Sequence, residues 1–317
     1  MVVRSLGSPT KGWCDIKIRQ SDLGSFQRCA QQVKLERTYG EGETLSATVF
    51  GTVVHYALMV MEQLHNEGRE DACEVAVATF LYYWEPEHLP TLQEMQGDPP
   101  VGIQVWLPRQ SYGGYRDRGV RGLRLYYEYL KNDTGILLAL EHQFTVPIEV
   151  DGEMHELTGT VDRLALRWHN RKPILSIEDA KTGKKPTFLR FATQWTVYSY
   201  ASTQPEFWYA FDNRGFDEIH ANLAKKKLDF CENSDGYDLL ARRGRWLSFR
   251  DGFAVSDAGW RTDADYRRLK VHLREYIKAN RADVFPLTVE GQVCTYCQFS
   301  RNGTCGGEPL PELEEKP

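Results

Sequence analysis

The sequence predicts an α/β fold, one central mixed sheet flanked by helices. Three observations carry this. The 317 residues, 41% hydrophobic and 26% charged, can bury one large α/β core or two smaller ones. Through the first 130 or so positions the apolar residues recur at helical spacing. Near Ile136 the pattern switches to strand-like runs separated by tight-turn signals, and a helix, further strands and a long terminal helix follow.

Taken in order, residues 1–20 read as an irregular or extended N-terminal segment. Ser21 caps a helix through SFQRCAQQVKLERTYG, ending near Gly40. SATVFGTVVHYALMVMEQLHNE is a second helix, stopped by Gly68, and DACEVAVATFLYYWE a third. The Pro- and Gly-rich stretch 85–115 reads as a long surface connection or lid, after which Arg118–Leu130 resumes as helix. ILLALEHQFTVPIEV, MHELTGTVDRLALRW and PILSIEDAKTG are strands, turned by Asp151-Gly152 and by HNRK. FLRFATQWTVYSYAST is helical. PEFWYAFDN and EIHANLAKKKLDF read as strands, and TDADYRRLKVHLREYIKANRA as a helix capped by Thr262 or Asp263. The expected organisation is a helical region at 21–132 carrying the 85–115 insertion, a core at 133–285, a cysteine-bearing segment at 286–308 and a tail at 309–317.

A formal net charge of -5 excludes a generally basic nucleic-acid coat, but not one local basic stripe. No run of 18 apolar residues occurs and the N-terminus lacks a secretory apolar core, so a cytoplasmic setting is expected (host cytoplasm if phage-encoded), with no membrane partner. Seven cysteines, an odd number, argue against a disulfide framework.

Asp179-Ala180-Lys181 ends an apolar strand, and Asp162 lies on the strand before it. Side chains two apart share a strand face, so Asp179 and Lys181 point one way and Glu178 the other. Asp162 can then lie beside Asp179, and two carboxylates that close repel each other unless a cation joins them. Mg²⁺ or Mn²⁺ suits such oxygen ligands, and either can activate a water and neutralise charge on a phosphodiester. Lys181 is placed to hold that water or to stabilise the developing phosphate charge.

These residues, in this order, resemble the PD-(D/E)XK nuclease superfamily and its RecB-like branch. The resemblance rests on Gly51–His55 (GTVVH), a glutamate upstream of the first catalytic strand (Glu141), Gly159–Asp162 (GTVD), Ile177–Gly183 (IEDAKTG) and Gln194–Tyr198 (QWTVY). It covers roughly residues 20–305 and implies a restriction-endonuclease-like core. It also implies metal ligation by Asp162, Asp179, the Ala180 carbonyl and His55. Glu141 would bind metal through water or support the other ligands. Gln194 and Tyr198, sharing a helix face, would orient Lys181 or touch the DNA backbone.

Cys294-Thr-Tyr-Cys297 has chelating spacing, and Cys305 follows seven residues on. Spacing leaves zinc and a [4Fe-4S] cluster both open. The resemblance favours iron–sulfur. In one RecB-like subset, which includes CRISPR-associated adaptation nucleases and AddB-type nucleases, one early and three late cysteines hold [4Fe-4S]. Cys29, within SDLGSFQRCAQQ, resembles the early one. Cys29-Ala30 stands where the family often has Cys-Pro, and the last interval is longer than usual.

Lys184-Lys185, Lys225–Lys227, and Arg242, Arg243 and Arg245 with Trp246 are candidate DNA contacts, the tryptophan as a base-stacking platform. No Walker A motif occurs in these 317 residues, so any unwinding is expected from a helicase, recombination or CRISPR-adaptation partner. The reading is a metal-dependent DNA exonuclease on single strands or ends, in recombination, repair, phage DNA processing or spacer acquisition. The alternatives are a flap-type endonuclease and an inactive DNA-binding module. Oligomeric state stays open.

Overall fold

The computed structural model describes residues 13–39, 45–95, 102–103, 106, 110–170, 172–183, 192–209, 241–250, 252–287, 294, 297–301 and 304–305. Its sheet has six strands, β1 (Trp13–Arg19), β2 (Ile136–Val150), β3 (Glu153–His169), β4 (Lys172–Lys181), β5 (Ala241–Ser248) and β6 (Ala254–Trp260). The long β3 is its spine. One edge of β3 pairs antiparallel with β2 from Ile136↔Leu166 to Val150↔Glu153. The other edge is shared between β1, parallel through Lys17↔Glu156 and Arg19↔Thr158, and β4, antiparallel from Arg163↔Glu178 to His169↔Lys172. β4 then pairs parallel with β5, and β5 antiparallel with β6. The sheet is mixed, as expected. Asp151 (φ 53°) and Gly152 (φ 82°) both take the positive φ that a two-residue type I′ turn needs, which fixes the β2–β3 register.

The helices are α1 (Gln20–Arg28), α2 (Ala30–Tyr39), α3 (Ser46–Asn66), α4 (Ala72–Trp84), α5 (Leu89–Met95), α6 (Tyr112–Lys131), α7 (Thr193–Ala201), α8 (Pro205–Tyr209), α9 (Asp263–Ala282) and α10 (Gln298–Arg301). One apolar cluster packs α7 and α9, through Trp195, Tyr198, Leu269, Leu273 and Tyr276, against β2, β3 and β4. The other packs Phe50, Phe80, Trp84 and Tyr126 of α3, α4 and α6 against Ala180, Leu247 and Phe249. Thr262 caps α9 in a capping box with Asp265. No helix among the described residues is long and apolar enough to cross a membrane.

Several expectations are corrected. Within the segment read as irregular or extended, residues 13–19 are extended and form a strand, because Ile16 and Ile18 alternate with exposed Lys17 and Arg19 and the strand finds an open edge of β3. The core therefore recruits chain from before residue 133. The helix expected from Ser21 to Gly40 is two helices, broken at Cys29, whose backbone is extended (φ −158°, ψ 110°). Beyond the break, Lys34 of α2 pairs with Asp283 at 2.9 Å and Arg37 bonds Tyr276. The 85–115 connection contains α5, and α6 starts earlier than expected, at Tyr112. PEFWYAFDN opens as helix, with Pro205 in the first turn where its missing N–H costs nothing. β6 was not anticipated. The expected strand EIHANLAKKKLDF lies outside the described residues.

Candidate metal centre and active site

The β2–β3 ladder brackets Glu141 and Asp162 between Leu140↔Arg163 and His142↔Val161. Glu141 has φ 46° in mid-strand, a left-handed conformation that is strained for a residue with a Cβ. α3 closes over this point. A Cβ on Gly51 would stand 3.3 Å from Thr182 Oγ1, so the small residue lets the helix approach the end of β4. One turn later, His55 Nε2 lies 2.9 Å from the Ala180 carbonyl oxygen. Its Nδ1 is 3.6 Å from Asp162 Oδ2 and 3.8 Å from Glu141 Oε1. One donor atom from each of His55, Glu141 and Asp162 lies within 4.8 Å of the others, the one such metal-ligand group among the described residues. Gly159 of the GTVD motif is required by packing: a Cβ there would strike the Phe144 ring at 2.8 Å and Gln20 Cβ at 3.2 Å.

Asp162 Oδ2 also accepts the Ala180 N–H at 2.7 Å, which ties the ends of β3 and β4 together. Asp179 is fully buried beside this group rather than within it. Its carboxylate meets Lys181 Nζ at 2.8 and 2.9 Å and accepts a hydrogen bond from Gln194 Nε2 at 2.5 Å. Gln194 Nε2 is also 2.9 Å from the Tyr198 hydroxyl, so Gln194 and Tyr198 of α7 converge on Asp179.

The charges explain one another. Burial, opposed by Lys181 and reinforced by the negative charge of Asp162, pushes Asp179 up to about 7. Burial alone would lower His55, but the Asp162 charge and the Glu141 hydrogen bond outweigh it and raise the imidazole. Burial likewise opposes the ammonium of Lys181, and Asp179 and Asp162 more than offset it, so Lys181 stays a cation. Tyr198 is held well above the usual tyrosine range, first by burial and then by the charges of Asp179 and Asp162, which makes it a neutral hydroxyl. The site is thus a crowded acidic pocket short of positive charge. One imidazole and several carboxylate oxygens form a donor set that suits a divalent cation.

Sequence reading missed a charge network adjoining the pocket. Arg163 bonds Glu62 at 2.6 Å, Glu178 at 2.6 Å and Asp133 at 3.1 Å. Glu178 also takes Arg167 at 2.7 Å, Arg245 at 3.2 Å and the Ser176 hydroxyl at 2.7 Å. Tyr126 donates to Glu62, and Arg167 pairs with Asp133. Three guanidinium groups therefore balance three carboxylates. The three guanidiniums together with direct hydrogen bonds hold Glu178 at about 2 against burial. Arg163 follows Asp162, Glu178 precedes Asp179, and Glu62 lies two turns beyond His55, so the network fixes the elements that carry the pocket.

The basic candidates fare differently. Arg242 is bound to Ser202, Arg243 to Asp257 and Arg245 to Glu178. Trp246 is buried and cannot offer a face to a base. The stacking role expected of Trp246 is therefore corrected. Lys184, Lys185 and Lys225–Lys227 lie outside the described residues.

Cys29, Cys294, Cys297 and Cys305 are all free thiols. The Cys294 thiol is raised by burial and then by the charges of Cys29, Cys297 and Cys305, so the four expected positions share one neighbourhood. No three of them bring their sulfurs within 4.8 Å of one another among the described residues. Cys297 and Cys305 pack with Leu35 and Phe299. Cys73 sits in the helical core, while the Cys14 side chain and Cys231 lie outside the described residues.

A mixed sheet flanked by helices, with an acidic metal-ligand group at the junction of β2, β3 and β4, defines a class of nuclease folds. A family profile for the PD-(D/E)XK nuclease superfamily matches residues 18–302, and the chain belongs to that superfamily. Sixteen chains of solved structures match as well. One, titled "Crystal structure of SSO0001", is 12% identical, with 91% of this chain and 85% of that chain covered at a TM-score of 0.38. No curated protein matches.

Proposed function

We propose that this chain is a divalent-metal-dependent deoxyribonuclease of the RecB-like branch, acting as an exonuclease on single-stranded DNA or DNA ends. The observation that carries the reading is the convergence of His55, Glu141 and Asp162 beside the Asp179–Lys181 pair, on this superfamily's fold. His55, Asp162, Asp179 and the Ala180 carbonyl would hold Mg²⁺ or Mn²⁺, with Glu141 as ligand or support. When bound, the ion supplies Lewis acidity at the phosphate and lowers the pKa of a coordinated water.

The chain's own groups do the rest. Lys181 is kept protonated, so it acts as a donor to the attacking water or a phosphate oxygen, not as a base. Gln194 fixes the Asp179 carboxylate, and Tyr198 stays a neutral hydroxyl beside Gln194. His55 Nε2, on the Ala180 carbonyl, sets the direction of Nδ1 toward the acids. The test is cleavage of end-labelled DNA with Mn²⁺. Asp179→Ala should abolish it, and equal cleavage would refute the assignment. Cleavage of circular single strands would select the flap-type or other endonuclease reading instead. Binding without any cleavage would select the DNA-binding module.

We further propose that Cys29, Cys294, Cys297 and Cys305 hold a [4Fe-4S] cluster joining the α1–α2 break to the C-terminal segment. The shared neighbourhood of the four thiols supports this. Anaerobically purified protein should be brown and contain iron. Colourless protein with stoichiometric zinc would overturn the proposal. A helicase, recombination or CRISPR-adaptation partner would supply unwinding.

A further inference from the structure

Away from the metal pocket, the same ladder floors a second, open cleft of ≈ 650 Å³. Phe144 and Gly159 are part of its lining, and the rest of its floor is a polar face made by alternation. On β2, Glu141, Gln143 and Thr145 are exposed while His142, Phe144 and Val146 are buried. On β3, Gln143 lies opposite Thr160, and Thr145 opposite Thr158, which is buried with its hydroxyl on the Ile18 carbonyl; Leu140↔Arg163 and His142↔Val161 bracket Glu141 and Asp162 further along. Each row is two residues from the next, or about 7 Å along the strand. On β1, Lys17 and Arg19 are exposed while Ile18 is buried, and Arg19 lies beside Thr158. Both cations line the cleft, and neither has a hydrogen-bond or ion-pair partner among the described residues. One carboxylate, Glu206 at the start of α8, also lines it.

We propose that this cleft is the track for the phosphodiester backbone of the DNA strand whose scissile phosphate enters the metal pocket. The inference rests on the nuclease reading and adds to it a binding site, a direction of approach and two recognition cations. Hydroxyl and amide groups on a flat strand face donate to phosphate oxygens without reading bases, and lysine and arginine supply the charge. The rows Thr158–Thr145, Thr160–Gln143 and Asp162–Glu141 lead from the cations to the metal ligands without an intervening apolar residue on that face. The strand therefore approaches along the β2–β3 ladder from the β1 side. Glu206 opposes it, so its removal should tighten binding.

The experiment is fluorescence anisotropy of a labelled oligothymidylate with the full chain and Ca²⁺, over a salt series. Lys17→Gln/Arg19→Gln should flatten the slope of log affinity against log salt by about 1.4, since each neutralised phosphate on a single strand contributes about 0.7. Arg267→Gln/Lys270→Gln, on the exposed face of α9, should leave the slope as it is. Glu206→Gln should bind more tightly at every salt concentration. An unchanged slope in the β1 double variant, an equal change in the α9 variant, or no tightening by Glu206→Gln overturns the track. Cleavage with Mn²⁺ is measured in parallel. An unaltered chain that neither binds nor cleaves sinks the nuclease reading and the track together. Normal Asp179-dependent cleavage with an unchanged slope sinks the track alone.

Discussion

Replacing Arg163 by methionine removes the centre of the buried charge network while keeping most of the side-chain volume. Arg163 serves Glu62 and Glu178, each at 2.6 Å, and Asp133 at 3.1 Å, and all three carboxylates are buried. Glu178 retains Arg167 and Arg245, and Asp133 retains Arg167, but Glu62 keeps only Tyr126. Breaking a buried pair by removing one partner costs about 3–5 kcal/mol. Glu62 sets the pH dependence of that cost. Burial already raises it despite Arg163, and without Arg163 it rises further and takes up a proton. A carboxyl whose folded pKa is raised binds more protons folded than unfolded, so stability falls as pH rises through that window. The deficit of Arg163→Met should therefore be smallest near pH 4.5 and grow toward neutrality. Urea unfolding at several pH values measures it. A loss under about 1 kcal/mol, or a loss independent of pH, would show that Arg163 does not hold the buried carboxylates in this way.

Glu178 and His155 give a second pH signature. Glu178 is depressed to about 2, which is on the order of 3 kcal/mol of stability present above its ordinary 4.5 and lost as pH falls toward 2. His155 is fully buried and lowered by burial and then by Arg281, so its contribution is lost as pH falls below its ordinary 6.5. Urea midpoints should drop in two stages on acidification, and Glu178→Gln should flatten the lower stage. Gly159→Ala should cost about 1–3 kcal/mol through the clash with Phe144. Gly24→Ala, with nothing within 4 Å of the new methyl in α1, should instead gain about 0.5–1 kcal/mol. Thermal melts of the two variants should move in opposite directions. Glu141→Gly relieves the positive φ, so the variant should be no less stable than the parent while binding Mn²⁺ more weakly in calorimetric titration. Loss of stability there would show that Glu141 is not strained.

The β2–β4 strands and α3, α4 and α9 were legible because their signals are local: Asp151-Gly152 sets a turn, Gly68 stops a helix and Thr262 starts one. The motif residues were legible by order, and the fold brings His55, Glu141 and Asp162 together across 107 positions of chain. What could not be read depends on partners distant in sequence. The short β1 acquires meaning only beside Thr158, some 140 residues on. The break at Cys29 is marked by no glycine or proline at that position. Glu178 was seen to point away from Asp179, yet nothing local says that three arginines meet it there. The basic run Arg242–Arg245 looked like a DNA contact because composition shows charge without its neighbours. The use of Gln143–Thr145 as a floor depends on which strand lies across from them.

In the function proposed above, DNA cleavage depends on a divalent cation held by the His55–Glu141–Asp162 group. The direct measurement is a Mn²⁺ titration followed by calorimetry and by cleavage of labelled DNA, on the unaltered chain and on Asp162→Asn. Mn²⁺ binding and cleavage should saturate together in the unaltered chain, and both should be lost in a folded Asp162→Asn. A folded Asp162→Asn that binds Mn²⁺ and cleaves as the unaltered chain does would contradict it.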